Sequence, residues 1–255
     1  MAAELHAARP QQAAGGLALG MSAQWRGEGS QHQGKRPYQE DSWALVTLGD
    51  GSLLAIVADG MGGHAGGAVA SKLVVDAFVH AVEQGGGLAD GLRDANEAVR
   101  VGAQGKPDLD GMGATVVAAQ VRGDEVRWIS VGDSPFYLLT KGKLERLNAD
   151  HSMAPQIDAL VTRGMLTAEE AEHHPGRHTL REAVMGEPLT LIDKGSRRLG
   201  PGDSLLLCSD GVQTLAAEQI VAQAVRPASG LVEAVLAAAK DHQDNVTVVK
   251  LERSA

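Results

Sequence analysis

The chain is poor in cysteine, in aromatic side chains and in positive charge, and each shortage removes a class of function. Its one cysteine, Cys208, has no partner for an intramolecular disulfide and cannot assemble a cysteine-rich zinc site. That fits a reducing compartment. Aromatic residues make up 3% of the sequence, too few for the stacking platforms that bind single-stranded nucleic acid. The 23 basic residues are outnumbered by 32 acidic ones, and a formal net charge of -9 speaks against binding by phosphate neutralisation. No stretch reaches the ~18 to 20 consecutive apolar residues of a membrane span. At the N-terminus, Glu4, His6 and Arg9 interrupt the apolar run that a secretory signal needs. A soluble, cytoplasmic protein without nucleic-acid or membrane partners is expected.

Glycine, by contrast, is abundant at 32 of 255 residues, nearly twice the ~7% norm, so many tight turns are implied. Residues 1–20 are mostly Ala, Gly and Gln and read as a disordered tail. Residues 21–253 contain no repeat and no long linker and read as one domain, long enough to bury about 70% of its extended-chain surface. Apolar runs at 42–48 and 53–58 flank Gly49-Asp50-Gly51, a hairpin signal. A helix of about five turns follows, with Ala70, Val74, Phe78 and Val82 on one stripe, and a second carries Leu88, Leu92, Ala95 and Val99. Runs at 114–121, 125–131, 136–140 and 143–147 predict an antiparallel meander. Residues 152–178 are polar and helix-prone, with a capping box at Thr167-x-x-Glu170, and predict an insertion over the sheets. Strands are expected at 190–194, 204–209 and 246–251, and helices at 216–224 and 230–240. Strands in runs with helices grouped between them predict an α+β fold of antiparallel sheets with helices outside.

The carboxylates fall at strand ends: Glu40-Asp41 opens one, Asp59, Asp133 and Asp210 follow three others, and Asp244 precedes the last. Any single Asp-Gly at such a place is ordinary turn chemistry. Converging carboxylates would instead repel and raise one another's pKa, and a hard divalent cation with oxygen ligands resolves that. The pattern alone leaves both readings open.

Seven short motifs in order narrow the choice: Gly34-Lys35-Arg36-Pro37-Tyr38-Gln39-Glu40-Asp41-Ser42, Ala58-Asp59-Gly60-Met61-Gly62-Gly63-His64, Gly111-Met112-Gly113-Ala114-Thr115, Val131-Gly132-Asp133-Ser134, Asp150-His151-Ser152, Cys208-Ser209-Asp210-Gly211 and Asp244-Asn245-Val246-Thr247. Across about residues 22–251 the chain resembles the metal-dependent PPM (PP2C-type) protein serine/threonine phosphatases of the compact bacterial branch. The resemblance implies a four-layer α-β-β-α sandwich with a binuclear Mn²⁺ or Mg²⁺ centre at one end. It implies that Asp59 bridges the ions, that the Gly60 carbonyl binds one, and that Asp210 and Asp244 bind the other. Glu40 and Asp41 would bind directly or through water, and a third, weaker ion would lie near Asp133 and Asp210. Arg36 would face the substrate phosphate, and residues 152–178 would be a mobile flap. His64 is the candidate proton donor; in many eukaryotic relatives the histidine directly follows Asp-Gly, the slot that Met61 holds here, and a metal-bound water is the alternative donor. The implied partners are phosphorylated proteins and a Hanks-type Ser/Thr kinase, with the chain a monomer. The alternative from another class is a catalytically silent phosphoprotein-binding module on the same fold.

Rival motifs fail on specifics. Gly29 to Lys35 has Walker A spacing, but Arg36 replaces the Ser/Thr that would bind magnesium, and the glycines after Asp59 are out of register for a dinucleotide fingerprint. A cysteine phosphatase would need Arg six residues after Cys208, where Thr214 stands, so Cys208 reads as a small buried hydrophobe. His173, His174 and His178 read as solvated surface, and His151 as part of a hydrogen-bonded turn.

Overall fold

The computed structural model describes residues 19–21, 24–62, 66–238 and 241–254. In chain order its strands and helices are β1 (Leu19–Met21), β2 (Trp25–His32), β3 (Asp41–Thr47), β4 (Leu53–Met61), α1 (Gly66–Glu83), α2 (Leu88–Ala103), β5 (Gly113–Ala114), β6 (Val116–Arg122), β7 (Glu125–Val131), β8 (Phe136–Thr140) and β9 (Lys143–Arg146). There follow α3 (Ala154–Thr162), α4 (Ala168–Glu172), β10 (Asp193–Arg198), β11 (Ser204–Cys208), α5 (Ala217–Gln223), α6 (Ala228–Ala237) and β12 (Val246–Arg253). One sheet runs β1-β2-β12-β11-β8-β9 and the other β10-β7-β6-β4-β3, with β5 attached to β4. Every neighbouring pair is antiparallel.

Strand periodicity builds the layers. In β4, Leu54, Ile56 and Ala58 face α1 and α2, while Leu53, Ala55 and Val57 face the opposite sheet. In β11, Leu206 and Cys208 face α5 and α6, while Leu205 and Leu207 point between the sheets. Central strands buried on both faces give continuous apolar runs, and three separate cores result. The order is therefore helix pair, sheet, sheet, helix pair.

Three expectations need correction. The predicted meander is two hairpins in different sheets: β6 pairs with β7 and β8 with β9, and the chain crosses between sheets at 132–135. The Gly132-Asp133-Ser134 turn makes that crossing, with Gly132 at φ +97°, where an L side chain is strained. The strand expected at 190–194 runs instead from Asp193 to Arg198. Two strands were not anticipated. One, β1, begins inside the stretch expected as a tail and pairs with the other, β2. The remainder of that stretch lies outside the described residues.

Candidate active site

The sandwich delivers the acidic strand ends to one place. Asp41 at the start of β3 lies directly opposite Asp59 near the end of β4. At the same end β7 exits toward Asp133, β11 exits toward Asp210, and Asp244 leads into β12. Arg36, Glu40, Asp59, Gly60, Asp133, Asp210 and Asp244 line a cavity of about 290 Å³. Asp41 is 4% exposed and does not border it. It lies behind Asp59, its Oδ2 accepting hydrogen bonds from Ser209 Oγ and Thr247 Oγ1, both at 2.7 Å. His64 falls outside the described residues.

Local contacts hold these groups in register. A Cβ on Gly60 would press on the Gly67 carbonyl and stand 2.5 Å from the Glu40 carbonyl, so only glycine fits. The Gly60 N–H donates to that Glu40 carbonyl at 3.1 Å. Thr115 Oγ1 accepts from the Asp59 N–H at 3.1 Å and lies 2.6 Å from Ser134 Oγ, tying the β4 end to the Asp133 turn. Asn245 accepts from the Glu40 N–H at 2.7 Å and donates to the Gln33 and Tyr38 carbonyls at 2.8 and 3.0 Å, which fastens the Arg36 loop to the start of β12. Arg36 Nη2 meets Asp244 Oδ2 at 2.5 Å.

Electrostatically the cluster is strained. Burial, then the charges of Asp41, Asp210, Asp244 and Asp133, hold Asp59 well above the usual carboxylate range. Burial likewise pushes Asp41 and Asp133 to about 7, and burial with the nearby Asp244 raises Asp210. Like charges on directly opposed strand positions, as at Asp41 and Asp59, are destabilising by themselves. Asp41 Oδ1 is buried without a hydrogen-bond partner. All-oxygen donors, mutual repulsion and an unsatisfied carboxylate oxygen fit a hard divalent cation. Among the described residues no three His, Cys, Asp or Glu side chains close around one point. An ion there would complete its coordination with the Gly60 carbonyl and water, as such cations accept.

Some residues at the site were not picked out in sequence. Thr115 and Asn245 sit inside the quoted motifs, but their roles depend on partners 56 and 205 residues away. His178 is exposed, as expected, yet it borders the cavity. His151 is buried, with Nδ1 accepting from the Gly132 N–H at 3.2 Å, the turn role anticipated. Burial pushes the Cys208 thiol up, and Cys208 is fully buried in the α5/α6 core, as an inert hydrophobe would be.

Architecture and site thus define a four-layer α+β protein with an acidic, oxygen-lined centre beside a guanidinium. The model of the protein phosphatase 2C family matches residues 28–246, and the chain belongs to that family. It is 37% identical over 213 residues to the serine/threonine protein phosphatase PstP of Mycobacterium tuberculosis, a match covering 78% of this chain and 40% of PstP. The chain therefore spans less than half of that relative. It is 32% identical to the serine/threonine phosphatase stp of Listeria welshimeri, over 86% of this chain and 92% of that one. A crystal structure of PstP superposes with a TM-score of 0.78 at 32% identity, covering 91% of this chain and all of that one. Another, of the PstP catalytic domain in complex with two manganese ions, gives 0.75 at 32% identity, covering 91% and 99%.

Proposed function

We propose that the chain is a metal-dependent protein serine/threonine phosphatase, a cytoplasmic monomer that removes phosphate from phosphoserine and phosphothreonine in proteins and opposes a Hanks-type kinase. The observation that carries this reading is the convergence of Asp59, Asp133, Asp210 and Asp244 with Arg36 on one cavity. Asp59, the Gly60 carbonyl, Asp210 and Asp244 would hold two Mn²⁺ or Mg²⁺ ions, with Glu40 beside them and Asp41 acting from behind. Asp133 with Asp210 would hold a third. Such ions acidify water toward hydroxide near neutrality and neutralise phosphoryl charge. The two-manganese complex of PstP supports the assignment.

The chain's own groups supply the rest. Arg36 offers a planar fork matched to phosphate, and a phosphoryl group would compete for it with Asp244. Thr115 Oγ1, engaged with Ser134 and the Asp59 N–H, holds the end of β4 in place, and the proposed route is direct in-line displacement by water. The water oxygen ends on phosphorus, and the departing serine or threonine oxygen takes a proton. Met61 borders the cavity but has none to give; His64 is the proposed donor, and a metal-bound water is the alternative.

The test is phosphate release from a phosphothreonine peptide with Mn²⁺ and with EDTA. Release only with Mn²⁺ is expected, and equal release in EDTA would overturn the metal mechanism. No turnover of peptide or of p-nitrophenyl phosphate with Mn²⁺ would instead indicate the silent binding module.

A further inference from the structure

The 290 Å³ cavity opens into a larger groove of about 1070 Å³ running beneath residues 152–178. Four residues border both spaces: Arg36, Asp210, Asp244 and His178. The first three belong to the sandwich. His178 alone comes from the flap, so it stands at the neck where the two spaces join. Among the described residues nothing hydrogen-bonds its ring, which leaves both nitrogens available. Its flap neighbours are engaged: His173 Nδ1 lies 2.9 Å from the Glu169 carbonyl, and His174 Nδ1 accepts from the Gly176 N–H at 3.1 Å.

The flap is built to hold His178 there. Its root is closed by the bridge between Ser152 and Leu180, with the Met153 N–H donating to the Thr179 carbonyl at 2.9 Å. Next to His178, the Arg177 guanidinium donates to both Asp158 carboxylate oxygens, at 2.7 and 3.2 Å, and to the Ala171 carbonyl at 3.3 Å. One side chain thereby joins α3, α4 and the segment leaving the flap.

We propose that His178 is a substrate-contacting, specificity-determining residue that grips the phosphorylated residue of a protein chain at the neck, and that the Asp158–Arg177 pair is its positioning device. The inference rests on the phosphatase reading and says how that site selects protein-borne phosphate. The sizes support it. A cavity near the lower end of the ~300 to 1,000 Å³ range of small-ligand pockets suits one phosphorylated side chain, and the groove accommodates the flanking backbone. A small aryl phosphate fills the cavity and leaves the groove empty. A peptide occupies both and passes the imidazole, which can donate to a peptide carbonyl oxygen that the aryl phosphate lacks.

The experiment compares kcat/KM for a phosphothreonine peptide with that for p-nitrophenyl phosphate, in the full chain with Mn²⁺. In His178→Ala the peptide-to-aryl ratio is expected to fall roughly tenfold, and His178→Asn, which keeps a donor, recovers part of it. Asp158→Asn is expected to lower the ratio through a raised peptide KM, and the exchanged pair Asp158→Arg with Arg177→Asp restores it. A ratio within about twofold of wild type in His178→Ala overturns the proposal. An intact ratio in Asp158→Asn overturns the positioning role alone. A wild-type chain inert toward both substrates overturns the phosphatase reading beneath it.

Discussion

Asp59, Asp133, Asp210 and Asp244 border one cavity, and burial together with the neighbouring Asp244 raises the pKa of Asp210. Removing one charge from such a group should act oppositely on chemistry and on stability. Asp210→Asn takes away a proposed cation-binding oxygen and is expected to lower kcat/KM by roughly 100-fold or more, the scale seen when one electrostatic contact of a reaction centre is removed. The same change removes one of the charges that raise Asp59, so once the cluster ionises above about pH 7 the ion-free variant should be more stable than wild type. Steady-state kinetics and chemical denaturation in EDTA read the two effects separately. Activity within a fewfold of wild type would remove Asp210 from the centre, and an unchanged or lowered denaturation midpoint would remove it from the repulsive cluster.

Elements were legible where one residue's surroundings follow from its near neighbours. The β3–β4 hairpin, α1, α2 and the flap's capping box all rest on local spacing, and Thr167 and Glu170 do cap α4 reciprocally, at 3.1 and 2.8 Å. Since α4 is only five residues long, Thr167→Ala should cost about 1 kcal/mol locally. Faster amide exchange confined to 168–172 is the expected signature, and unaltered protection there would show that packing rather than the cap sustains α4. The strand β2 was illegible for a long-range reason. Its Gly29 lies against the Trp43 ring of the opposite sheet, and a Cβ on Gly27 would come within 2.8 Å of Leu45 and Leu251. The apolar side chains that would signal a strand are replaced by glycines that accept someone else's. In β10, Gly195 lies beneath its cross-strand partner Trp128, which hides that strand in the same way. At the site, strand-end position revealed the carboxylates, but it could not separate Asp41, behind the cavity, from Glu40 on its wall.

For the molecule as a whole, the formal charge of -9 is concentrated partly in groups that fold with raised pKa values. With Asp41 and Asp133 near 7, the native state keeps protons that the unfolded chain releases from about pH 4 upward. Stability without metal should therefore fall as pH rises from about 4 to 7 and level off above. Divalent cations bind the ionised native form, so the melting-temperature gain with Mn²⁺ should be larger at pH 8 than at pH 6. Equal gains at the two pH values would detach metal binding from these protons. The flap's closed root has an evolutionary reach. Because the chain enters and leaves through the bridge between Ser152 and Leu180, whatever lies between is a cassette hung from a single point of the sandwich. Doubling a flexible insert of this kind adds only ~0.6 kcal/mol of closure entropy. Descendants of this fold can thus lengthen, shorten or rewrite the cassette while the carboxylates beneath it stay untouched.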